Sequence, residues 1–145
     1  PHLLDARAPN RAEREPLDAL AAVAEGFTIL HAGRHGQLNL SSLPMESGDP
    51  LLRPARTWRS QTAFHPARHP KSGDDIATHL RAQITIELRR RNRMESDEIQ
   101  FLSTDFGPRG GVSALLELRF KTPVAGPLLL GRTAQKGGGL FVSVD

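Results

Sequence analysis

Two histidines, an arginine and a lysine fall within one short run, His65-Pro-Ala-Arg68-His69-Pro-Lys71. Histidine is the usual general acid or base near neutral pH, and arginine and lysine stabilise charge that develops on phosphate. Metal-free RNA cleavage needs these groups. A base takes the 2′-hydroxyl proton, an acid protonates the leaving 5′ oxygen, and the products are a 2′,3′-cyclic phosphate and a 5′-hydroxyl. The residues alone also fit an exposed loop without a catalytic role.

A glycine-rich run near the C-terminal end could bring backbone and positive charge to the same ligand. Glycine lets a backbone approach closely, and arginine suits phosphate. The candidate RNA-binding residues here are Gly131, Arg132, Lys136, Gly137, Gly138 and Gly139. The spacing from Gly126 to Thr133 resembles a phosphate-binding P-loop, but Arg132 replaces the required lysine, so nucleotide hydrolysis is rejected. The alternative is a glycine turn that packs tightly before a last strand.

Further RNA contacts could come from an arginine cluster and from aromatic side chains. The arginines are Arg89, Arg90 and Arg93, which either touch phosphate or form a solvated helix end favoured by the helix dipole. The chain has no tyrosine and one tryptophan. Base stacking would therefore fall to Trp58, Phe64, Phe141 or arginine planes. This scarcity argues against an RNP-type RNA-recognition sheet.

Hydrophobic periodicity predicts the elements that must position these residues. A helix is predicted over 17–25, ending at Gly26, with short strands at 27–30 and 37–40. A strand at 57–64 precedes a helix that has Ser72 and Asp75 at capping-box spacing and runs to about 91. Strands follow at 98–103, 113–121 and 140–144, and a short helical turn at 127–130.

This order predicts an α+β fold. The second part reads as a ferredoxin-like (RRM-like) βαββαβ module with a C-terminal glycine-rich loop, preceded by a partial α/β segment. Residues 1–15 read as a linker or tail. We place a domain boundary so that 1–55 form an N-terminal segment or the tail of a preceding domain, and 56–145 form the RNA-cleaving domain. The chain starts with Pro1, which is compatible with a piece of a longer polypeptide.

Composition excludes several classes of protein. The 145 residues include no cysteine, which rules out disulfides and cysteine zinc sites. No apolar run is long enough to span a membrane, and the polar start is not a signal peptide, so a cytoplasmic protein is expected. No metal or cofactor is expected, because no helical His-x-x-x-His and no cluster of carboxylates suggests a metal site. The net charge is +3, and only three of the 19 basic residues are lysine. A GC-rich genome would also produce that arginine bias.

Three stretches together resemble a known family. TWRSQTAFHPARHPK, QITIELRRR and FKTPVAGPLLLGRTAQKGGGLF are similar to the Cas-six-type domain of the Cas-five/Cas-six fusion proteins of type I-G (formerly I-U) CRISPR systems. The resemblance covers about 85 residues, and the glycine-rich end is its most specific part. It implies a CRISPR-associated endoribonuclease that binds and cleaves repeat RNA to mature crRNA. Its partners would be that RNA and other subunits of a type I effector complex.

The family's functional residues transfer unevenly to this chain. The glycine-rich loop maps onto 131–139, whereas the catalytic histidine maps only by position, to His69 or His65. His69 is favoured because it follows Arg68 and precedes Lys71, which would assist it. The family often has an aromatic residue or histidine at the site of Gln135 or Lys136, where this chain departs from it.

Two other functions remain open: a non-catalytic RNA-binding subunit of an effector complex, and an interaction domain without RNA. The nuclease hypothesis requires imidazole from 65–69 and backbone amides from 131–139 to converge on one phosphodiester.

Overall fold

The chain divides into two units near residue 46. The computed structural model describes residues 11–31, 33–41, 46, 48–107 and 111–144. The first unit contains a helix, α1 (Arg11–Gly26), and an antiparallel pair of strands, β1 (Ile29–His31) and β2 (Gln37–Asn39). The two predicted strands are thus confirmed.

The linker predicted over 1–15 is wrong for its last five residues, which belong to α1. The sequence there is Arg-Ala-Glu-Arg-Glu, and all three residue types favour helix. Residues 1–10, the rest of that prediction, lie outside the described residues.

The second unit is built on a five-stranded sheet with the order β4-β5-β3-β7-β6. Its strands are β3 (Ala55–Ser60), β4 (Glu98–Phe106), β5 (Val112–Val124), β6 (Leu128–Leu129) and β7 (Leu140–Ser143). Every neighbouring pair is antiparallel. Because β3 and β4 both run antiparallel to β5, which lies between them, they are parallel to each other and joined by a crossover. The predicted α+β class is confirmed.

The crossover between β3 and β4 is a helix, α2 (Ile76–Arg90), whose apolar residues form the core with one face of the sheet. Leu80, Ile84 and Leu88 are fully buried on it, as their helical spacing predicts. The predicted alternation of β5 is also confirmed, since Ala114, Leu116, Leu118 and Phe120 are buried. The helix therefore covers this face, and four residues separate its first turn from the 65–71 segment.

The start of α2 differs from the predicted capping box. Asp75, not Ser72, is the N-cap, and its carboxylate accepts a hydrogen bond from the amide of Thr78 at 2.8 Å. Gly73 has φ of 90°, a left-handed conformation incompatible with a helical turn beginning at Ser72. The helix therefore begins three residues later than a cap at Ser72 would start it.

The helical turn predicted over 127–130 is wrong, because this segment forms strand β6. Leu128 pairs with Phe141, and Leu129 with Leu140. Leu128 and Leu130 are buried whereas Leu129 is only partly so, which is the two-residue period of a strand. Four apolar residues between Gly126 and Gly131 are too few to form a stable helix.

Residues just before β3 belong to the second unit and are bonded to its C-terminal part. The carbonyl oxygen of Pro50 accepts from the Ser143 amide at 2.8 Å, and that of Leu52 accepts from the Gly126 amide at 3.2 Å. Arg53 Nε donates to Ser143 Oγ at 2.6 Å. Across the described part of the chain, no helix combines the length and the apolar character that crossing a membrane requires.

Candidate functional site

The two segments predicted to carry chemistry lie against each other. We call residues 65–71 the histidine loop and residues 131–139 the glycine loop. The amide of Arg132 donates to the carbonyl oxygen of His65 at 3.0 Å, and the amide of Gly139 donates to that of Ala63 at 2.9 Å. The first bond joins the two loops directly, and the second ties the end of the glycine loop to the residue two positions before His65.

Gly131 and Gly139 allow this close approach. Gly131 has φ of 92° and Gly139 has φ of 61°, both in the region that side chains disfavour. A Cβ on Gly131 would collide with the carbonyl oxygen of His65, and one on Gly139 would collide with that of Leu130. The glycines are thus required for the packing between loops and strands, which was the alternative left open for this run.

The contact between His69 and Arg132 joins the predicted catalytic residue to a predicted RNA-binding residue. Arg132 Nη1 lies 3.4 Å from His69 Nε2, and both side chains are exposed. A guanidinium only donates hydrogen bonds. Nε2 is therefore the acceptor in this contact and carries no hydrogen there, and a positively charged side chain lies beside it.

The other cations predicted for the site are also exposed. Arg68 and Lys71 lie on the histidine loop, and Lys136 lies at the end of a 3₁₀ turn (Ala134–Lys136) in the glycine loop. His65 is half-buried. Together with Arg132, these residues give both loops positively charged side chains that water, and hence an anion, can reach.

The backbone amides of the glycine loop are mostly used within the protein. Arg132 and Gly139 donate to the segment 63–65, as described above. Ala134, Lys136, Gly137 and Gly138 donate to carbonyl oxygens of the same loop. These amides are therefore not free to bind a phosphate in this structure, so the part of the nuclease hypothesis that required them is not met. The two loops do lie together, and their exposed cationic side chains are the groups left that could bind a phosphate.

Thr62 ties the glycine loop to the end of β3, and sequence reasoning did not identify it. Its hydroxyl donates to the carbonyl oxygen of Gly137 at 2.8 Å and accepts from the Leu140 amide at 3.0 Å. A threonine in an alternating strand pattern carries no signal of such a role, because both partners are distant in sequence.

Trp58 is a correction to the predicted RNA-binding set. Its side chain is fully buried and its indole nitrogen donates to the carbonyl oxygen of Ala55 at 3.1 Å. Phe64 and Phe141, the other candidates for base stacking, are also fully buried. Their hydrophobic surface stabilises the core, so none of the three can present a ring face to RNA in this structure.

The arginine cluster lies at the opposite end of α2 from the histidine loop, and a helix of this length spans about 20 Å. Arg89 pairs with Glu95 at 2.6 Å, and Arg90 lies 3.5 Å from Glu87. The hydrogen bond to Glu95 raises the pKa of Arg89, and the attraction of that carboxylate adds to the effect. Arg93 donates to the carbonyl oxygen of Ala125 at 3.1 Å. These arginines have acidic or backbone partners, and their contact with RNA stays a prediction.

No cluster of three or more His, Cys, Asp or Glu side chains that could hold a metal ion occurs within the described ranges.

Comparison with family models, with curated proteins and with solved structures finds no match to this chain.

Proposed function

We propose that this chain is a metal-independent endoribonuclease that binds CRISPR repeat RNA and cleaves it to mature crRNA. The observation that carries the proposal is the contact of His69 with Arg132, which brings together residues from the two loops that were singled out independently. General base and cation are the minimum that cleavage by the 2′-hydroxyl requires. The family resemblance supplies the identity of the RNA.

In this proposal Arg132 turns from His69 Nε2 to the RNA phosphate, and the lone pair of Nε2 that this frees removes the proton from a ribose 2′-hydroxyl. The 2′ oxygen attacks the adjacent phosphorus, the bond to the 5′ oxygen breaks, and His65 donates a proton to the leaving oxygen. The opposite assignment, with His65 as base and His69 as acid, is the alternative; His69 Nε2 would then carry a hydrogen and could not accept from Arg132. Arg68, Lys71 and Arg132 stabilise the charge of the transition state, and Lys136 holds the RNA backbone.

The strand order supports a ferredoxin-like fold as part of the same proposal. β3, α2 and β4 form the split βαβ unit with β5 inserted between the strands, and β7 lies on the other side of β3. β6 and the 3₁₀ turn occupy the chain positions of the second helix. In this topology the glycine loop immediately precedes the last strand, where the resemblance places it.

A cleavage assay in EDTA tests the function. The protein is incubated with a labelled hairpin RNA carrying a CRISPR repeat from the genome that encodes this chain, and the RNA ends are analysed. We expect one cut that leaves a 2′,3′-cyclic phosphate and a 5′-hydroxyl. The matched control is the same RNA with a 2′-deoxy sugar at the cut, which should stay intact because its nucleophile is missing.

A second candidate is an RNA-binding subunit without turnover. It is favoured by the exposure of the four basic side chains of the two loops, Arg68, Lys71, Arg132 and Lys136. Exposed arginine and lysine bind phosphate whether or not an imidazole reacts. A shift of the repeat RNA without a cut would support this binder. An RNA affinity that is absent, or independent of salt, would instead favour an interaction domain with no role in RNA chemistry.

A further inference from the structure

Two side chains of α2 hold the backbone of Arg68 from both sides. Gln83 Oε1 accepts the hydrogen bond of the Arg68 amide at 3.2 Å. His79 Nε2 lies 2.9 Å from the Arg68 carbonyl oxygen, and because a carbonyl only accepts, Nε2 must carry the hydrogen. His79 and Gln83 are four residues apart and so lie on one face of the helix.

Both side chains are largely buried, so the loss of their hydrogen bonds would be costly. Gln83 is 7% exposed and the side chain of His79 is 14% exposed. A buried amide oxygen without a donor is costly, and the Arg68 amide supplies that donor. Gln83 precedes the fully buried Ile84 on the side of α2 that faces the core, so its polar end is directed at the histidine loop from a rigid element.

Asp74 completes the arrangement. Its Oδ2 accepts from the Lys71 amide at 2.7 Å and lies 3.9 Å from His79 Nδ1. One nitrogen of His79 thus faces the carbonyl oxygen of Arg68 and the other faces the carboxylate that binds the end of the loop. The ring is oriented by its hydrogen bond to the Arg68 carbonyl oxygen. At 3.9 Å the Asp74 carboxylate is beyond hydrogen-bond distance, and it attracts the ring only when both ring nitrogens carry hydrogen.

We propose that His79 and Gln83 are positioning residues for His69. This inference rests on the nuclease function proposed above. The carbonyl group of Arg68 belongs to the peptide unit that joins Arg68 to His69, and the amide of Arg68 belongs to the preceding unit. Fixing both units holds the backbone that enters His69 in place and so restricts the positions that its side chain can take relative to Arg132.

Matched substitutions separate the hydrogen bonds from simple packing. Gln83→Met keeps the length of the side chain and removes the acceptor, whereas Gln83→Glu keeps an acceptor. His79→Leu removes the donor, whereas His79→Gln keeps an amide N–H at about the same reach. We expect Gln83→Met and His79→Leu each to lower the cleavage rate at saturating RNA by about 10- to 100-fold, because small misplacements of a catalytic group have effects of this size. The RNA Kd should stay within about twofold, since the phosphate-binding side chains remain.

The conservative variants, Gln83→Glu and His79→Gln, should recover most of the rate. The proposal would be overturned if both variants at one position lost the same cleavage rate and the same unfolding free energy. That result would show that the position contributes through packing and not through its hydrogen bond. His79 is less buried than Gln83, so its variants decide the question if Gln83→Met does not fold.

A second readout needs no RNA. Amide hydrogen exchange of Arg68 should become faster in Gln83→Met and stay slow in Gln83→Glu, and the imidazole NMR resonances of His69 should move in His79→Leu. Unchanged exchange and unchanged resonances would overturn the positioning role even if the enzyme is active. A wild-type protein that leaves the repeat RNA intact would instead overturn the nuclease function, so the two failures are distinguishable.

Discussion

The carbonyl oxygen of His65 accepts the backbone hydrogen bond of Arg132 at 3.0 Å, which places a predicted acid or base beside a predicted RNA-binding residue far along the chain. The bond involves only backbone atoms, so it holds the two loops together whatever the protonation state of the imidazole. The side-chain contact of Arg132 with His69 adds to it. Several measurable consequences depend on this junction.

Replacing His69 by alanine should abolish cleavage while RNA binding persists. Loss of a general acid or base typically lowers the rate by about 10²- to 10⁴-fold. His65→Ala should have an effect of the same kind if it is the partner acid. Single-turnover cleavage and an RNA-binding titration measure the two properties. His31→Ala, an exposed histidine of the first unit, is the matched control, and wild-type cleavage by His69→Ala would disprove the assignment.

Replacing Arg132 by alanine should weaken RNA binding and make it less dependent on salt. Each phosphate contact adds about one to the slope of log K against log salt, so one lost contact should reduce the slope by about one. Arg89→Ala is the comparison, because Glu95 already pairs with Arg89. We expect a smaller change there. Equal slopes for Arg132→Ala and the wild type would show that this guanidinium does not touch phosphate.

Gly131→Ala should separate the two loops. The variant combines an unfavourable φ, which costs roughly 1–3 kcal/mol, with a collision against the carbonyl oxygen of His65. Gly137→Ala is the matched control, since Gly137 also has a positive φ but open space around it. Chemical denaturation should give the larger loss of unfolding free energy for Gly131→Ala, and cleavage should fall with it. Equal losses would show that only φ matters.

The pH dependence of stability should reveal the ion pairs on the other face of β5. The hydrogen bond from Arg59 lowers the pKa of Glu117, and contacts with Arg119 lower it further against the opposing effect of burial. Because the folded-state pKa lies below the unfolded value of about 4.3, the pair stabilises the protein above that pH, and the contribution is lost as pH falls through the lower folded pKa.

Glu117→Gln should remove this part of the acid dependence in unfolding experiments between neutral pH and about pH 3, because the substituted amide does not titrate. Glu98→Gln is the control, since Glu98 is an exposed partner of Arg119. Identical pH profiles for wild type and Glu117→Gln would contradict the assignment.

Shortening the chain should show where the second unit begins. Residues 50–53 make backbone and side-chain bonds to Ser143 and Gly126. A fragment of 47–145 should therefore keep the unfolding free energy of this unit, whereas a fragment of 55–145, which retains all of β3, should lose part of it. Equal stability of the two fragments would show that these contacts contribute nothing.

The sequence by itself determined the elements whose signals are local. The period of two in β5 and the spacing of Leu80, Ile84 and Leu88 in α2 predict which faces are buried, because side-chain direction follows backbone geometry. The histidine and glycine loops were also identifiable, since residue type alone carries their chemistry. Two predictions from local sequence were wrong. The cap predicted at Ser72 is excluded by the left-handed conformation of Gly73, and the turn predicted at 127–130 is replaced by the pairing of β6 with β7.

Only the tertiary structure decided which of these pieces meet. Leu128 pairs with Phe141, and the Arg68 amide donates to Gln83; each of these contacts joins two different parts of the chain. Trp58 is buried by residues that come from several elements. Such contacts depend on strand order and on the exit direction of each loop, and no local period encodes them. His69 lies beside Arg132 for the same reason. Because β3 pairs antiparallel with β7, the loop that follows β3 and the loop that precedes β7 lie at the same end of the two strands.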